Sequence, residues 1–218
     1  MRSHKFLLGF LTIVSIISLS VIGVSLYYIF IKDKSPYIGT WVREQKITNM
    51  VRGKMDAWLW EADLKIFVDY PTDNVTVDMI VTFDRSGNIT VKSDKKSFDS
   101  ASEVASKIGE AALTDFLTKR LAAAGTDVSS LNTDVNLLLE EALGMSVAEY
   151  MSEYGPKIMP DAEEVDALFA GTYTYREEDG RLIITDTDTG EEKTATYVVD
   201  DDKMVITTGR ETYIYSKK

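Results

Sequence analysis

The sequence predicts a mainly β protein with an α-helical insertion (α+β). We expect an antiparallel barrel or strongly curved meander of about eight to ten strands, preceded by one transmembrane helix. Three observations support this prediction. Residues 6–31 contain no charged side chain. Two later blocks alternate apolar and polar residues between turn-forming residues, which is typical of antiparallel strands. Between these blocks, residues 98–170 change to the three- and four-residue spacing of helices.

The apolar run at residues 6–31 is long enough to cross a membrane. As a helix it would extend roughly 39 Å, compared with a hydrocarbon core of about 30 Å. Ser18-Leu19-Ser20 resembles a cleavage site, but the apolar sequence continues to Ile31, which favours an uncleaved signal-anchor over a cleaved signal peptide. We therefore expect a cell-membrane protein with a cytoplasmic tail at 1–5, a transmembrane segment at 6–31, a linker at 32–37 and an extracytoplasmic domain at 38–218.

The first β block begins with a predicted strand over Thr40–Met50. Alternation from Trp58 to Asp69 then predicts a long, half-buried strand whose carboxylates face water. Val75–Phe83 also alternates, and the turn sequence "DRSGN" leads into a last strand, "ITVKS". We expect about four strands before the helices.

The insertion at residues 98–170 carries most of the excess negative charge, with 14 acidic and 4 basic side chains. Its helices are indicated by a capping box at Ser100–Glu103, a stop at Gly125, a start near Thr133, a second capping box at Ser146–Glu149 and the stretch "PDAEEVDALFAG".

The second β block contains five short predicted strands: "GTYTYR", "RLIITD", "KTATYVV", "MVITT" and "ETYIYS". Asp- and Gly-rich turns separate them. Clustered carboxylates such as Asp186, Asp188 and Glu191 have oxygen ligands for calcium, but Asp and Gly are also what hairpin turns require. We expect turn chemistry there and no metal site.

The segments "YIGTWV" and "FAGTYT" share the pattern aromatic-x-Gly-Thr-aromatic, and each stands where the chain enters a β block. Gly39-Thr40-Trp41 resembles the Gly-x-Trp signature of lipocalin-like barrels. The stretch from Gly171 to the end resembles the meander of bacterial lipocalin-like domains of unassigned function, which occur on exported or membrane-anchored proteins. The resemblance implies a barrel interior suited to a small apolar ligand, and an arginine, Arg176 or Arg210, stacked on the first tryptophan.

Missing residue types narrow the chemistry of the predicted extracytoplasmic domain. The chain has no Cys, and its one His, His4, precedes the apolar run. Ser-His-Asp and Cys-His catalysis and His- or Cys-based zinc sites are therefore excluded from that domain. We expect no enzyme and no cofactor. The net charge of −11 also argues against a nucleic-acid partner.

Two functions remain open from the sequence. In the first, the barrel binds a small apolar or amphipathic ligand at the membrane surface, with Trp41, Trp58, Trp60 and Tyr173 as its lining. The same aromatic residues also suit an ordinary packed core. In the second, the protein is a non-catalytic interaction or scaffold module with a solid core, and the acidic insertion contacts a protein partner.

Overall fold

Eight antiparallel strands form a closed barrel in the computed structural model. They pair in sequence order, and the last strand returns to the first. The strands are β1 (Gly39–Lys46), β2 (Thr76–Phe83), β3 (Asn88–Ser93), β4 (Gly171–Glu178), β5 (Arg181–Asp186), β6 (Glu192–Asp200), β7 (Lys203–Thr208) and β8 (Glu211–Lys217). The predicted mainly β barrel is confirmed, with three strands before the large insertion instead of four.

The structure describes residues 35–61, 67–126, 134–155 and 157–218. Gly39–Lys218 belong to one compact unit. The predicted transmembrane segment at residues 6–31 lies outside the described residues. Within the described ranges, no helix combines the length and the apolar character needed to cross a bilayer.

The barrel wall follows from the alternation of its strands. On β2, the inward residues Val77, Met79, Val81 and Phe83 are buried and the residues between them are not. The two predicted entry segments also stand where expected, since β1 begins at Gly39 and β4 begins at Gly171. Gly39 has a φ of 140°, a backbone conformation that residues with a side chain rarely adopt.

A helix, α1 (Thr48–Glu61), occupies the beginning of the predicted strand from Trp58 to Asp69. The strand prediction is therefore wrong for Trp58–Glu61, and residues 67–70 are irregular as well. The predicted first strand ends at Lys46 for the same reason. The segment forms a helix because apolar residues recur every four positions and therefore share one helix face. That face is buried in the core through Ile47, Val51, Met55 and Leu59.

Between β3 and β4, the described residues form four more helices: α2 (Ser97–Ala123), α3 (Val135–Leu143), α4 (Val147–Tyr154) and α5 (Ala162–Phe169). The predicted capping box at Ser146–Glu149 is confirmed at the start of α4. The one predicted at Ser100–Glu103 is wrong, because α2 begins at Ser97, whose Oγ accepts a hydrogen bond from the backbone N–H of Asp78. A capping box that the sequence reading missed starts α5 at Asp161–Glu164.

All five helices connect to the same end of the barrel. α1 follows β1, and α2–α5 follow β3, which runs in the same direction as β1 because both are antiparallel to β2. The helices share a core with the adjoining part of β2, through Val75, Val77 and Met79. α5 is also tied to the barrel wall by the backbone N–H of Ser93, which donates to the Asp166 carboxylate at 2.7 Å.

The seam between β1 and β8 is short. Ladder pairing joins β1 to β8 at two positions, Trp41 with Lys217 and Val42 with Ser216, whereas β1 and β2 pair over eight. Along the rest of these two described strands, Arg43–Lys46 faces Glu211–Tyr215 without ladder pairing. A groove of about 530 Å³ lies on this seam.

Candidate functional site: a cavity at the mouth of the barrel

The barrel interior contains a cavity of about 200 Å³ near the end where the helices attach. Its apolar lining comes from inward side chains of the strands, Val81, Phe83, Ile89, Val91, Ile184 and Ile206. Its polar and aromatic lining consists of Arg43, Lys193, Thr208, Glu211, Tyr173, Tyr213 and Tyr215, and Phe169 at the end of α5 completes the cavity. An apolar chamber with a few polar groups is the usual composition of a small-molecule site.

Among the polar residues of this cavity, Arg43 is unusual because it is a charged side chain on the inward face of a strand. It lies two residues after Trp41 on β1, opposite Met79, and therefore on the inward face of the barrel. Its guanidinium carbon is 4.9 Å from the centre of the Tyr213 ring. Its Nε is buried and has no hydrogen-bond partner among the residues that the structure describes. Leaving such a donor unpaired is costly. The same side chain hydrogen-bonds the hydroxyls of Tyr213 and Tyr215 and lines the cavity as its most buried charge.

Two tyrosines beside Arg43 remain protonated at neutral pH. The Tyr213 hydroxyl donates to the Glu211 carboxylate at 2.6 Å, and this bond is the main reason that the pKa of Tyr213 is raised. Burial raises the pKa of Tyr215. The positive charge of Arg43 lowers both pKa values, but the raising effects are larger. The Tyr213 proton is already used in the bond to Glu211, and the hydroxyl oxygens of Tyr213 and Tyr215 both accept hydrogen bonds from the Arg43 side chain.

The opposite end of the barrel is held by the β2–β3 turn. The Tyr175 hydroxyl donates to the backbone carbonyl of Asp84 at 2.5 Å, and the Tyr175 ring meets Phe83 edge-on at 5.6 Å. The Asp84 carboxylate in turn accepts from the backbone N–H groups of Ser86 and Asn88, at 2.8 Å each. One end of the barrel is thus held by hydrogen bonds of the β2–β3 turn, and the cavity and the helices lie at the other end.

Comparison with protein-family models, with curated proteins and with solved structures finds no match to this chain. The closed eight-stranded antiparallel barrel is compatible with a lipocalin-like barrel. Since no relative is available to assign residues, the site is interpreted from its own geometry.

The four predicted lining residues do not come together. Tyr173 lines the cavity. Trp41 is 1% exposed in the barrel wall, next to Arg43 along the inward face of β1. Trp58 and Trp60 lie on α1, where Trp58 packs against the helical core and Trp60 is 60% exposed.

The two arginines suggested to stack on Trp41 take other positions. Arg176 forms ion pairs with Glu178 and Glu192 on the outside of the barrel, at 2.7 Å each. Arg210 is exposed in the turn between β7 and β8. Turn carboxylates behave as expected from turn chemistry, since Asp186 accepts from the backbone N–H groups of Asp188 and Thr189.

Three charged lining residues, Arg43, Lys193 and Glu211, were missed by the sequence reading. The alternation of inward and outward residues along each strand would have indicated them. Each stands two residues from an inward apolar or aromatic side chain: Arg43 after Trp41, Lys193 before Ala195, and Glu211 before Tyr213. The argument is strongest for Arg43, which is partly buried, because burial of an unneeded charge is unfavourable, whereas Lys193 and Glu211 are exposed at the rim.

Proposed function

We propose that this protein is a membrane-anchored, extracytoplasmic and non-catalytic binding protein whose barrel mouth takes one small amphipathic ligand. The observation that carries the proposal is the mouth cavity, whose lining combines apolar strand residues with Arg43, Lys193 and Glu211. Its volume of about 200 Å³ favours a small ligand, since pockets for drug-sized molecules are about 300–1,000 Å³. The charge-free residues 6–31 support the anchor, and the absence of His and Cys from the described domain supports a non-catalytic function.

Methyl NMR of the full-length chain tests ligand binding directly. The chain would be held in amphipol without detergent, with its isoleucine methyl groups labelled, and titrated with octan-1-ol. We expect shifts at Ile89, Ile184 and Ile206, which line the cavity. Ile108, buried in α2, is the internal control and should not shift.

A cavity-filling variant sharpens this test. Ile206→Trp places a large ring in the cavity and should abolish the response of Ile89 to octan-1-ol. Val198→Trp is the matched control, because Val198 lies on β6 and is 66% exposed. The proposal is wrong if neither octan-1-ol nor its carboxylate analogue octanoate moves the cavity methyl groups, or if they shift Ile108 as strongly as Ile206.

A second candidate is the interaction module that uses the acidic helical insertion. It is favoured by large apolar side chains that are exposed on the inserted helices: Leu137 on α3, Tyr154 on α4 and Leu168 on α5. Failure of the octan-1-ol test would favour this candidate, because an interaction module does not need the cavity to take a ligand.

A further inference from the structure

We infer that Arg43 makes the cavity selective for an anionic head group, and that the ligand class is a single-chain amphiphile with a carboxylate. The inference rests on the proposed function and adds to it the charge of the ligand and the residue that recognises it. It is carried by the position of Arg43 in the cavity lining, by the absence of an ion pair between Arg43 and a described carboxylate, and by the apolar surface in the same cavity.

Arg43 differs from the other arginine of the structure with a buried Nε. Arg52, on α1, also stacks on a tyrosine, since its guanidinium carbon is 5.3 Å from the centre of the Tyr70 ring. Its Nη2, however, donates to the carbonyl oxygen of Pro71 at 2.6 Å. Arg52 is therefore used to hold a loop against α1, whereas Arg43 points into a cavity.

The absence of a carboxylate partner for Arg43 is unexpected in so acidic a chain. Asp and Glu number 35 against 24 Lys and Arg, so most buried cations can find a counter-charge. Lys54, Lys119, Arg176, Lys193 and Lys218 are among the described cations that form ion pairs with carboxylates, whereas Arg43 lies within 4.0 Å of no carboxylate in any of these pairs.

The nearest candidate for a counter-charge is Glu211, which lines the same cavity. Its carboxylate accepts the Tyr213 hydroxyl, and no ion pair joins it to Arg43 in the described part of the chain. Lys193 adds a second cation to the lining, with a long 3.7 Å contact to Glu191 outside. The lining therefore holds two cations and one carboxylate, a balance that favours an anion.

The surroundings of Arg43 favour a carboxylate over other anions. A guanidinium presents its donors in a planar fork that matches the two oxygens of a carboxylate. Val81 and Ile206 provide apolar surface in the same small cavity, which suits an alkyl chain. Arg43 also lines the groove on the β1–β8 seam, so its side chain stands between the chamber and the outside of the barrel.

Three probes with the same alkyl chain isolate the head group: octanoate, octan-1-ol and octylamine. Each would be titrated into the full-length chain in amphipol, with the cavity isoleucine methyl groups as the readout. We expect octanoate to bind roughly tenfold or more tightly than octan-1-ol, because its carboxylate can form charge-assisted hydrogen bonds with Arg43 and the alcohol cannot. Octylamine, which is protonated at neutral pH, should bind most weakly.

Substitutions of Arg43 assign the preference to this residue. Arg43→Met should reduce octanoate binding to the level of octan-1-ol, with octan-1-ol binding retained, and Arg43→Lys should recover part of the preference. Arg210→Met is the matched control, because it removes the same charge from an exposed turn at the same end of the barrel. Lys193→Met should weaken octanoate binding less than Arg43→Met, because Lys193 is largely exposed.

The possible outcomes separate the two proposals. Equal binding of the three probes to the wild-type chain would overturn the inference about Arg43 and leave the ligand-binding cavity intact. A preference for octanoate that survives in Arg43→Met would also overturn it. No binding of any probe would overturn both. If Arg43→Met fails to fold, the wild-type comparison and Arg43→Lys still decide the matter.

Discussion

Asp84 stands at the turn between β2 and β3, and its carboxylate organises that turn. It accepts hydrogen bonds from the backbone N–H and the hydroxyl of Ser86, and from the backbone N–H and the side-chain amide of Asn88. These bonds, led by the one from the Asn88 side chain, lower the pKa of Asp84 from 3.8 to about 2. Charge on Asp84 is therefore favoured by the folded state.

Substitution of Asp84 should produce a pH-dependent loss of stability. Because its folded pKa is depressed, the contribution is complete above the ordinary value of 3.8 and is lost as the pH falls towards about 2. We expect Asp84→Ala to have a lower Tm than the wild type near neutral pH, and the difference to shrink across that acidic range. Thermal unfolding at several pH values measures this. Asp73→Ala, at an exposed position, is the control, and a pH-independent difference would contradict the assignment.

At the same scale, the candidate site was only partly predictable. Tyr173 lines the cavity. Trp60 lies on α1 and is exposed, because the segment that contains it forms a helix and not the expected strand. No motif marks Arg43 in the sequence, and only its parity with Trp41 on β1 places it on the inward face.

Capping decides where several of the inserted helices begin. At the start of α4, the Ser146 hydroxyl accepts from the backbone N–H of Glu149, while the Glu149 carboxylate accepts from the backbone N–H of Ser146. Both bonds satisfy N–H groups that the helix leaves without a partner at its first turn. This local chemistry made the start of α4 predictable from the sequence.

Removal of the Ser146 cap should lower the free energy of unfolding. We expect Ser146→Ala to cost about 0.5–2 kcal/mol, the usual range for loss of an N-cap side chain. Ser152→Ala, an exposed position on the same helix, is the matched control and should be neutral or slightly stabilising. Urea titration monitored by circular dichroism measures both. Equal effects of the two substitutions would show that the cap bonds do not hold α4.

The elements were predictable where one periodicity stands alone. The five strands of the second β block lie where alternation and turn residues predicted them. α1 was missed because two periods overlap there. The spacing of Val51, Met55 and Leu59 is helical, while the alternation from Trp58 onward is that of a strand. Burial against α2 and β2 resolves the competition, and the sequence alone does not contain that contact.

At the scale of the molecule, the helices and the barrel are joined by one hydrophobic core. Buried residues of α1 and α2 share it with Val75, Val77 and Met79 at the end of β2. Leu113 lies within this core on α2 and is 2% exposed. Since neither layer can lose its contacts without exposing the other, the two should unfold together.

Truncation of Leu113 tests that coupling. We expect Leu113→Ala to reduce the free energy of unfolding by roughly 2–5 kcal/mol, with one transition for both layers. Helical circular dichroism and the fluorescence of Trp41 on β1, measured with Trp58→Phe and Trp60→Phe in the background, should change at the same urea concentration. Leu168→Ala, on the exposed side of α5, should have little effect. Loss of helical signal before the fluorescence change would mean that the helices unfold independently.

The short β1–β8 seam has a consequence for self-association. A fully paired barrel has no free strand edges, but here Arg43–Lys46 and Glu211–Tyr215 carry backbone groups that the ladder leaves unpaired. Such edges are templates on which another chain can add a strand, as in aggregation. The exposed charges of Glu44, Lys46 and Glu211 stand along them, and charged side chains oppose strand addition. The acidic and basic residues at this seam therefore help to keep each barrel separate from its neighbours.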